Sequence, residues 1–519
     1  MFAALMELFW SLTMATSQLR LSPITPSFPT HEVRKSLHDA VSSIHALQKV
    51  GGAAGMSVGV IEYGQILLEH HFGLRRFNEG KLQGDEPITK YLPELSSLPG
   101  PMPADQLTLI DILSHQTGLP GLDALWLGAD NEINIPEEFT LAMCKHLPAL
   151  YPPRSKWLYN NWMYALAGKI IGQAANVSWG QASESHVLGP VGLTQSSVIE
   201  SKIPAGSTAL PYAVLDDKTK RRIGDVRLTD GSLMSPAGGV RSTLHDLLSC
   251  GDALLSSLQG EVSPLRQLDS ILFGHSFINK SASFDELYGL GFAKVTLPAQ
   301  FGKIRFNPGL VNAMPVIGSK SDHQLVFYHN GAIPSYNHCI MLLPSEQIAI
   351  VVLTNSISQG DIADWVAQTL LQVVLRLETK TDIVSLAQQT AKKWRSGYHN
   401  FVETLEKEKI PNTIPPPNED LTGTYVHSPS AFLFKVFMDD GLLKFNINGK
   451  KSQTHMLTHY HNDTISFLPS AEERMKRGLF HYGTHAWLLH FKRNDQGAIK
   501  ELSWVIDDNI KEGEVFTRV

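Results

Sequence analysis

The sequence has almost no cysteine. Its 519 residues include three, Cys144, Cys250 and Cys339, widely separated and without a CxxC pair. That usage excludes a disulfide framework and a cysteine-built zinc site, and leaves buried free thiols as the expectation. An excess of positive charge is also missing. Lys+Arg number 44 against 50 Asp+Glu, a formal net charge of -6, which argues against a generally basic nucleic-acid-binding surface. No apolar run is long enough to cross a bilayer. The N-terminal "MFAALMELFWSLTMATSQLR" has no basic residues ahead of its apolar part, and Glu7 interrupts that part. A cytoplasmic protein is therefore expected, with secretion as the alternative suggested by this weak signal. The 21 histidines contain no HExxH or HxHxD cluster, so no metal is expected.

What remains is an ordinary globular composition, 43% hydrophobic and 18% charged, in a chain long enough for more than one domain. After an N-terminal extension (1–30), "HEVRKSLHDAVSSIHALQKV" spaces Val33, Leu37, Val41, Ile44 and Leu47 as one face of a helix over 31–50. "GMSVGVIEYGQILLEHHFG" reads as an antiparallel hairpin. "TLIDILSHQTGL" reads as a helix closed by Gly118, with His115 and Thr117 tying down the turn. "NNWMYALAGKIIGQAAN" is a long helix. Residues 320–356 are strand-rich, and a helix follows over 361–378. The prolines of "KIPNTIPPPNED" mark an extended linker at 409–417. Beyond it Phe445 and Ile447 alternate with Lys444, Asn446 and Asn448, so 418–519 is expected to be a separate small all-β domain.

Two short motifs could carry chemistry. In "LYNNWMYALAG", Tyr159 and Asn161 stand two apart just before a helix and project a phenol and an amide into one space; the plainer reading is a helix cap, Asn160 or Asn161, beside a core tyrosine. In "FYHNGAIPSYNHCIMLLPSEQIAIVVLTN", His329 and Gly331 end a strand, offering an imidazole and backbone room for a substrate; the plainer reading is a turn histidine beside a turn glycine.

Taken in order, "LTLIDILSHQTGLPGL", "LYNNWMYALAGKIIG", "MSPAGGVRSTLHDLLSCGDALL", "YGLGF" and the His329 stretch resemble the serine beta-lactamase and penicillin-binding-protein superfamily over residues 31–375. The resemblance is nearest to the class C-like esterases and transesterases, including fungal acyltransferases of secondary metabolism. The C-terminal part resembles the lipocalin-like domain attached to many of these proteins. The fold implied is α/β (α+β): an antiparallel sheet flanked by helices plus a helical subdomain, within 31–408. The resemblance also implies a small-molecule acyl substrate, free or carrier-bound, and neither a cofactor nor a nucleic-acid partner. In such proteins a serine in Ser-x-x-Lys attacks an acyl carbonyl. By motif, Tyr159 would be the base and Asn161 would hold the substrate's amide or carbonyl. His329 and Gly331 would form the third motif, and the Ala332 N–H would be an oxyanion donor.

The sequence departs from the pattern at its centre. No serine has a lysine three residues on. "HFGLRR" and "NEGKLQGDEPITKYLPEL" match the stretches that normally flank the nucleophile helix, and they meet near 74–80 with nothing between them. "PITK" (87–90) belongs by its flanks to the later stretch. Three readings follow: a longer message carrying the missing segment, a catalytically inactive pseudoenzyme that binds an acyl ligand, or an enzyme using another nucleophile or an activated water.

Overall fold

A computed structural model of the chain describes residues 40, 55–62, 65–73, 82–260, 263–265, 267–279, 285–319, 322–428, 432–479, 483–507 and 509–519. Apart from Ala40, the helix expected over 31–50 lies outside these residues, as does the junction at 74–80. The expected hairpin is present: β1 (Gly55–Glu62) pairs antiparallel with β2 (Gln65–Gly73), with a register shift between Val60 and Ile61. Gly84–Val519 belong to a different compact unit, described from here on.

Helix α1 (Leu109–Leu113) starts with a reciprocal cap. Thr108 Oγ1 accepts from the Asp111 N–H, and Asp111 accepts from the Thr108 N–H at 2.9 Å. The expected closure of this helix by Gly118 is corrected. Both the amide and the hydroxyl of Ser114 saturate the Ile110 carbonyl, and His115 turns left-handed (φ 59), so the helix ends at Leu113. Gly118 (φ 74) instead forms the turn that follows. Helix α2 is Thr140–His146 and α3 is Asn161–Ala175. Helix α3 buries Trp162, Met163, Leu166, Ala167, Ile170 and Ile171, and ends where Asn176 takes φ 57. Short strands β3 (Tyr212–Val214) and β4 (Lys220–Arg222) precede α4 (Leu244–Leu258).

The central sheet is a six-stranded antiparallel meander in which each strand pairs with the next: β5 (Ser276–Asn279), β6 (Glu286–Tyr288), β7 (Ala293–Thr296), β8 (Leu325–Ile333), β9 (Tyr336–Leu343) and β10 (Ile348–Thr354). Alternation on β9 and β10 gives two apolar faces. Cys339, Met341, Leu343 and Ile350 pack in one core with Trp365, Ala367 and Leu371 of α5 (Ile362–Val374). Leu342 and Ala349 face the other way, where Gly251 lets α4 lie close against Ala349. Strand β11 (Ser356–Ile357) pairs parallel to β3, and the 26-residue α6 (Ile383–Glu408) leads out of this layer. Among the described residues no helix is long and apolar enough to cross a membrane. The three cysteines are buried and unpaired.

The C-terminal residues form one nine-stranded antiparallel sheet: β12 (Gly423–His427), β13 (Leu433–Asp439), β14 (Leu442–Ile447), β15 (Thr454–Met456), β16 (Thr458–His461), β17 (Thr464–Ser466), β18 (Leu488–Arg493), β19 (Ile499–Trp504) and β20 (Glu514–Arg518). Each strand pairs with its successor, except that β20 returns to β12 and a seam stays open between β15 and β16. The result is a nearly closed, lipocalin-like barrel. Phe434, Phe445, Phe467, Trp504 and Phe516 fill it, with Phe434 and Phe516 stacked at 4.5 Å. Its 448–453 corner is tied to the 129–134 loop. Gln453 accepts from the Ala129 N–H at 2.8 Å and donates to the Ala129 carbonyl at 2.9 Å, and Lys450 Nζ reaches Glu132 at 2.7 Å.

His455 sits among the barrel aromatics, stacked on Phe445 at 5.1 Å and 6% exposed. Burial, reinforced by Arg477, depresses its imidazole to about 3. The unfolded chain protonates this side chain near the ordinary value of about 6.5 and the folded chain does not, so its penalty grows as pH falls from about 6.5 to about 3. The buried Asp361, raised to about 7, acts in the opposite sense. His455→Phe is expected to flatten the acid slope of stability by about 1.4 kcal/mol per pH unit between about pH 6 and pH 4. Urea midpoints across that range measure it, and an unchanged slope would show that His455 is not buried neutral.

Candidate functional site

Tyr159, Asn161, His329, Gly331 and Ala332 all line one cleft of about 1890 Å³. Two stretches far apart in the chain meet there. The first is the entry to α3. Asn160 is its cap: the side chain accepts from the Trp162 N–H at 2.9 Å and donates to the Leu119 and Pro120 carbonyls, while its own N–H donates to His115 Nδ1 at 3.1 Å. The turn after α1 therefore holds the segment that carries Tyr159. More bonds join them: Leu150 and Tyr151 N–H to the Gly118 carbonyl, Arg154 N–H to Gln116, and Leu158 N–H to His115. Of the two asparagines considered as caps, Asn160 is the cap. Asn161 instead turns its amide to Asp123, donating to both carboxylate oxygens at 3.2 Å.

The second stretch is the β8–β9 hairpin. Alternation sends His329 and Gly331 to one face of β8, and Asn330 to the other, where it donates to Asp364 at 3.3 Å. A Cβ added at Gly331 would meet only His338, at 3.8 Å, so the room beside it belongs to the cleft. Ala332 pairs with Asn337, whose N–H and C=O both go to Thr354 Oγ1 on β10. That makes Ala332–Asn337 a pair whose backbone groups point away from each other. The Ala332 N–H thus points away from β9, at a level beyond Tyr328–Ala293, where the pairing of β8 with β7 ends.

Rings fill the floor between the two stretches. His115 lies 4.3 Å from Tyr159, 5.3 Å from Tyr164 and 5.0 Å from Tyr288, and Tyr159 lies 6.4 Å from His329, between ring centroids. His115 was expected only to tie down a turn. It is fully buried and packs its ring against Tyr159 beneath the cleft-lining residues. Two charged groups join the site without any signal in the sequence. Asp123 accepts from the Trp126 indole at 2.8 Å as well as from Asn161, and burial raises its carboxyl despite these bonds. Arg305 lies over the Phe306 ring at 4.1 Å and lines the cleft; its Nε and Nη2 are buried without a hydrogen-bond partner among the described residues. Tyr288 comes from the "YGLGF" stretch singled out above.

The electrostatics define what these groups can do. Tyr159 keeps 38% of its surface exposed, yet enough protein crowds it that desolvation pushes its phenol up to about 12, against a smaller lowering by Arg305. Desolvation, with Arg305 adding to it, holds the His329 imidazole down at about 3. At neutral pH both are uncharged hydrogen-bonding groups, suited to orienting and polarising a carbonyl. Of the five serines lining the cleft, Ser196 and Ser197 donate to Asp246 and Glu184, respectively. Lys90 of "PITK" pairs with Glu86 and is not among the residues lining the cleft.

Residues 74–372, more than half of the chain, match the family model described as Beta-lactamase. An unguisins hydrolase of Aspergillus violaceofuscus is 24% identical over 34% of this chain and 31% of its own length. A Salmonella gallinarum protein provisionally named a D-alanyl-D-alanine carboxypeptidase is 32% identical over 22% of this chain and 28% of its own. The chain thus spans less than a third of either relative. The octameric penicillin-binding protein homologue from Pyrococcus abyssi superposes with a TM-score of 0.46 at 16% identity, covering 93% of this chain and all of that one.

Proposed function

Since this chain belongs to the Beta-lactamase family, we propose that it works on acyl compounds, as a hydrolase or acyltransferase of esters or amides. The observation that carries this reading is the meeting of Tyr159 and His329, 6.4 Å apart between ring centroids, in one cleft with Asn161, Gly331 and Ala332. The acyl oxygen would sit against the Ala332 N–H at the Gly331 edge. Tyr159 would exchange a proton with the attacking or leaving group, and Asn161, oriented by Asp123, would hold the substrate's amide or carbonyl. At about 1890 Å³ the cleft exceeds the roughly 300–1,000 Å³ that drug-sized ligands need, which suits an extended acyl compound. The unguisins hydrolase among the relatives supports hydrolysis; a role in secondary metabolism is part of the proposal.

A second reading is favoured by one observation: the sequence has no Ser-x-x-Lys. On this reading the cleft binds an acyl ligand without turning it over. A panel of activated esters and amides, with a serine-directed acylating probe alongside, separates the two. Turnover above the protein-free rate supports the hydrolase. A ligand that raises Tm, by about 2.7 kcal/mol of added stability at a hundred times its Kd, with neither turnover nor labelling, supports the binder. Neither binding nor turnover across the panel removes both.

A further inference from the structure

Outside the residues that line the cleft, three side chains remote in sequence converge. His146 ends α2, His427 ends β12 and Glu514 begins β20. His427 Nε2 lies 2.7 Å and His146 Nε2 3.0 Å from the same oxygen, Glu514 Oε2, and the ligand atoms of all three residues lie within 4.8 Å of one another. The imidazoles meet edge to face with ring centroids 4.7 Å apart. His427 is fully buried and Glu514 is 5% exposed, while the His146 side chain keeps 33% of its surface. Buried His427 Nδ1 has no hydrogen-bond partner among the described residues.

We propose that His146, His427 and Glu514 form a binding site for a divalent transition-metal ion of the zinc type, which clamps α2 to strands β12 and β20.

Two nitrogens and one carboxylate oxygen are ligands of the kind that zinc takes, and three protein ligands leave one position for water on the half-exposed His146 side. Both imidazole nitrogens meet one largely buried carboxylate oxygen, and a divalent cation between the three atoms would join them through metal–ligand bonds. With metal–ligand bonds of about 2.0–2.1 Å at tetrahedral angles, the N···O separations would be about 3.3 Å. Those found are 2.7 and 3.0 Å, so each of these two separations would lengthen by a few tenths of an ångström. The three residues come from sequence positions 281 and 87 residues apart in turn, which is why no local spacing announces them.

The test is a Co(II) titration of the full chain after treatment with chelator, followed in the visible spectrum. The expected result is a saturable four-coordinate band at one ion per chain, displaced by Zn(II). His146→Asn, at the exposed ligand, should fold as the parent does and weaken the band by more than about 100-fold, beyond the 10–100-fold that outer-shell changes cause. His399→Ala, which removes an exposed histidine that pairs with Glu403, should leave it unchanged. No saturable band in the parent, or equal Co(II) affinity in His146→Asn, overturns the proposal.

Discussion

Gly118→Ala is expected to cost about 3 kcal/mol or more of stability and to abolish ligand binding or turnover with it. The residue has φ +74, and an added Cβ would lie 2.0 Å from the Tyr151 carbonyl oxygen and 2.8 Å from its carbon. The obstacle is backbone, which cannot rotate away. A left-handed conformation costs a side chain roughly 1–2 kcal/mol, and forcing apart a packed region costs typically about 1–3 more. The Gly118 carbonyl also accepts the N–H groups of Leu150 and Tyr151. Separating these chains therefore strains the segment that ends in Tyr159 and the α3 cap. Urea unfolding gives the stability change, and ligand-induced Tm shifts give the site. A variant as stable as the parent would mean that this turn does not hold the tyrosine.

Tyr159→Phe should separate the two functional readings by the size of its effect. If Tyr159 moves a proton during acyl transfer, removing its hydroxyl should lower kcat/KM by about 10²–10⁴-fold. If it only hydrogen-bonds a bound ligand, the loss should be about 0.5–1.5 kcal/mol, or roughly 2- to 13-fold in Kd. Tm should hardly change in either case, because the ring keeps its contacts with His115 and His329. Ester turnover that survives at the parent's level would remove Tyr159 from the chemistry.

Much of the framework is legible from local pattern. The cap and apolar spacing of α3, the alternation of Phe445 and Ile447 on β14, and the β1–β2 hairpin are short-range features, and each appears where its residues lead one to expect it. The end of α1 is a miss of the same local kind. Gly118 is a left-handed residue, as its type suggests, but Ser114 bonds the Ile110 carbonyl and His115 has already turned left-handed three residues earlier. The site is harder to read. Tyr159, Asn161, His329, Gly331 and Ala332 could be named because ordered motifs resemble a family, and the fold brings all five to one cleft. Arg305 and Asp123 carry no such mark: an arginine in "GKIRF" and an aspartate in "GLDAL" look like ordinary surface charges until burial changes their energetics.

By itself, the sequence determined the family resemblance, the two motif pairs and the absence of a Ser-x-x-Lys nucleophile, because each is a matter of residue identity and spacing. Tertiary structure alone decided that the His329 imidazole is held far below its ordinary range and the Tyr159 phenol above its own, that Asn161 answers to Asp123, and that His146, His427 and Glu514 share one point. The reason is physical. Desolvation and convergence depend on which distant segments pack together, and a side chain's charge state follows from the atoms around it rather than from its neighbours in the chain.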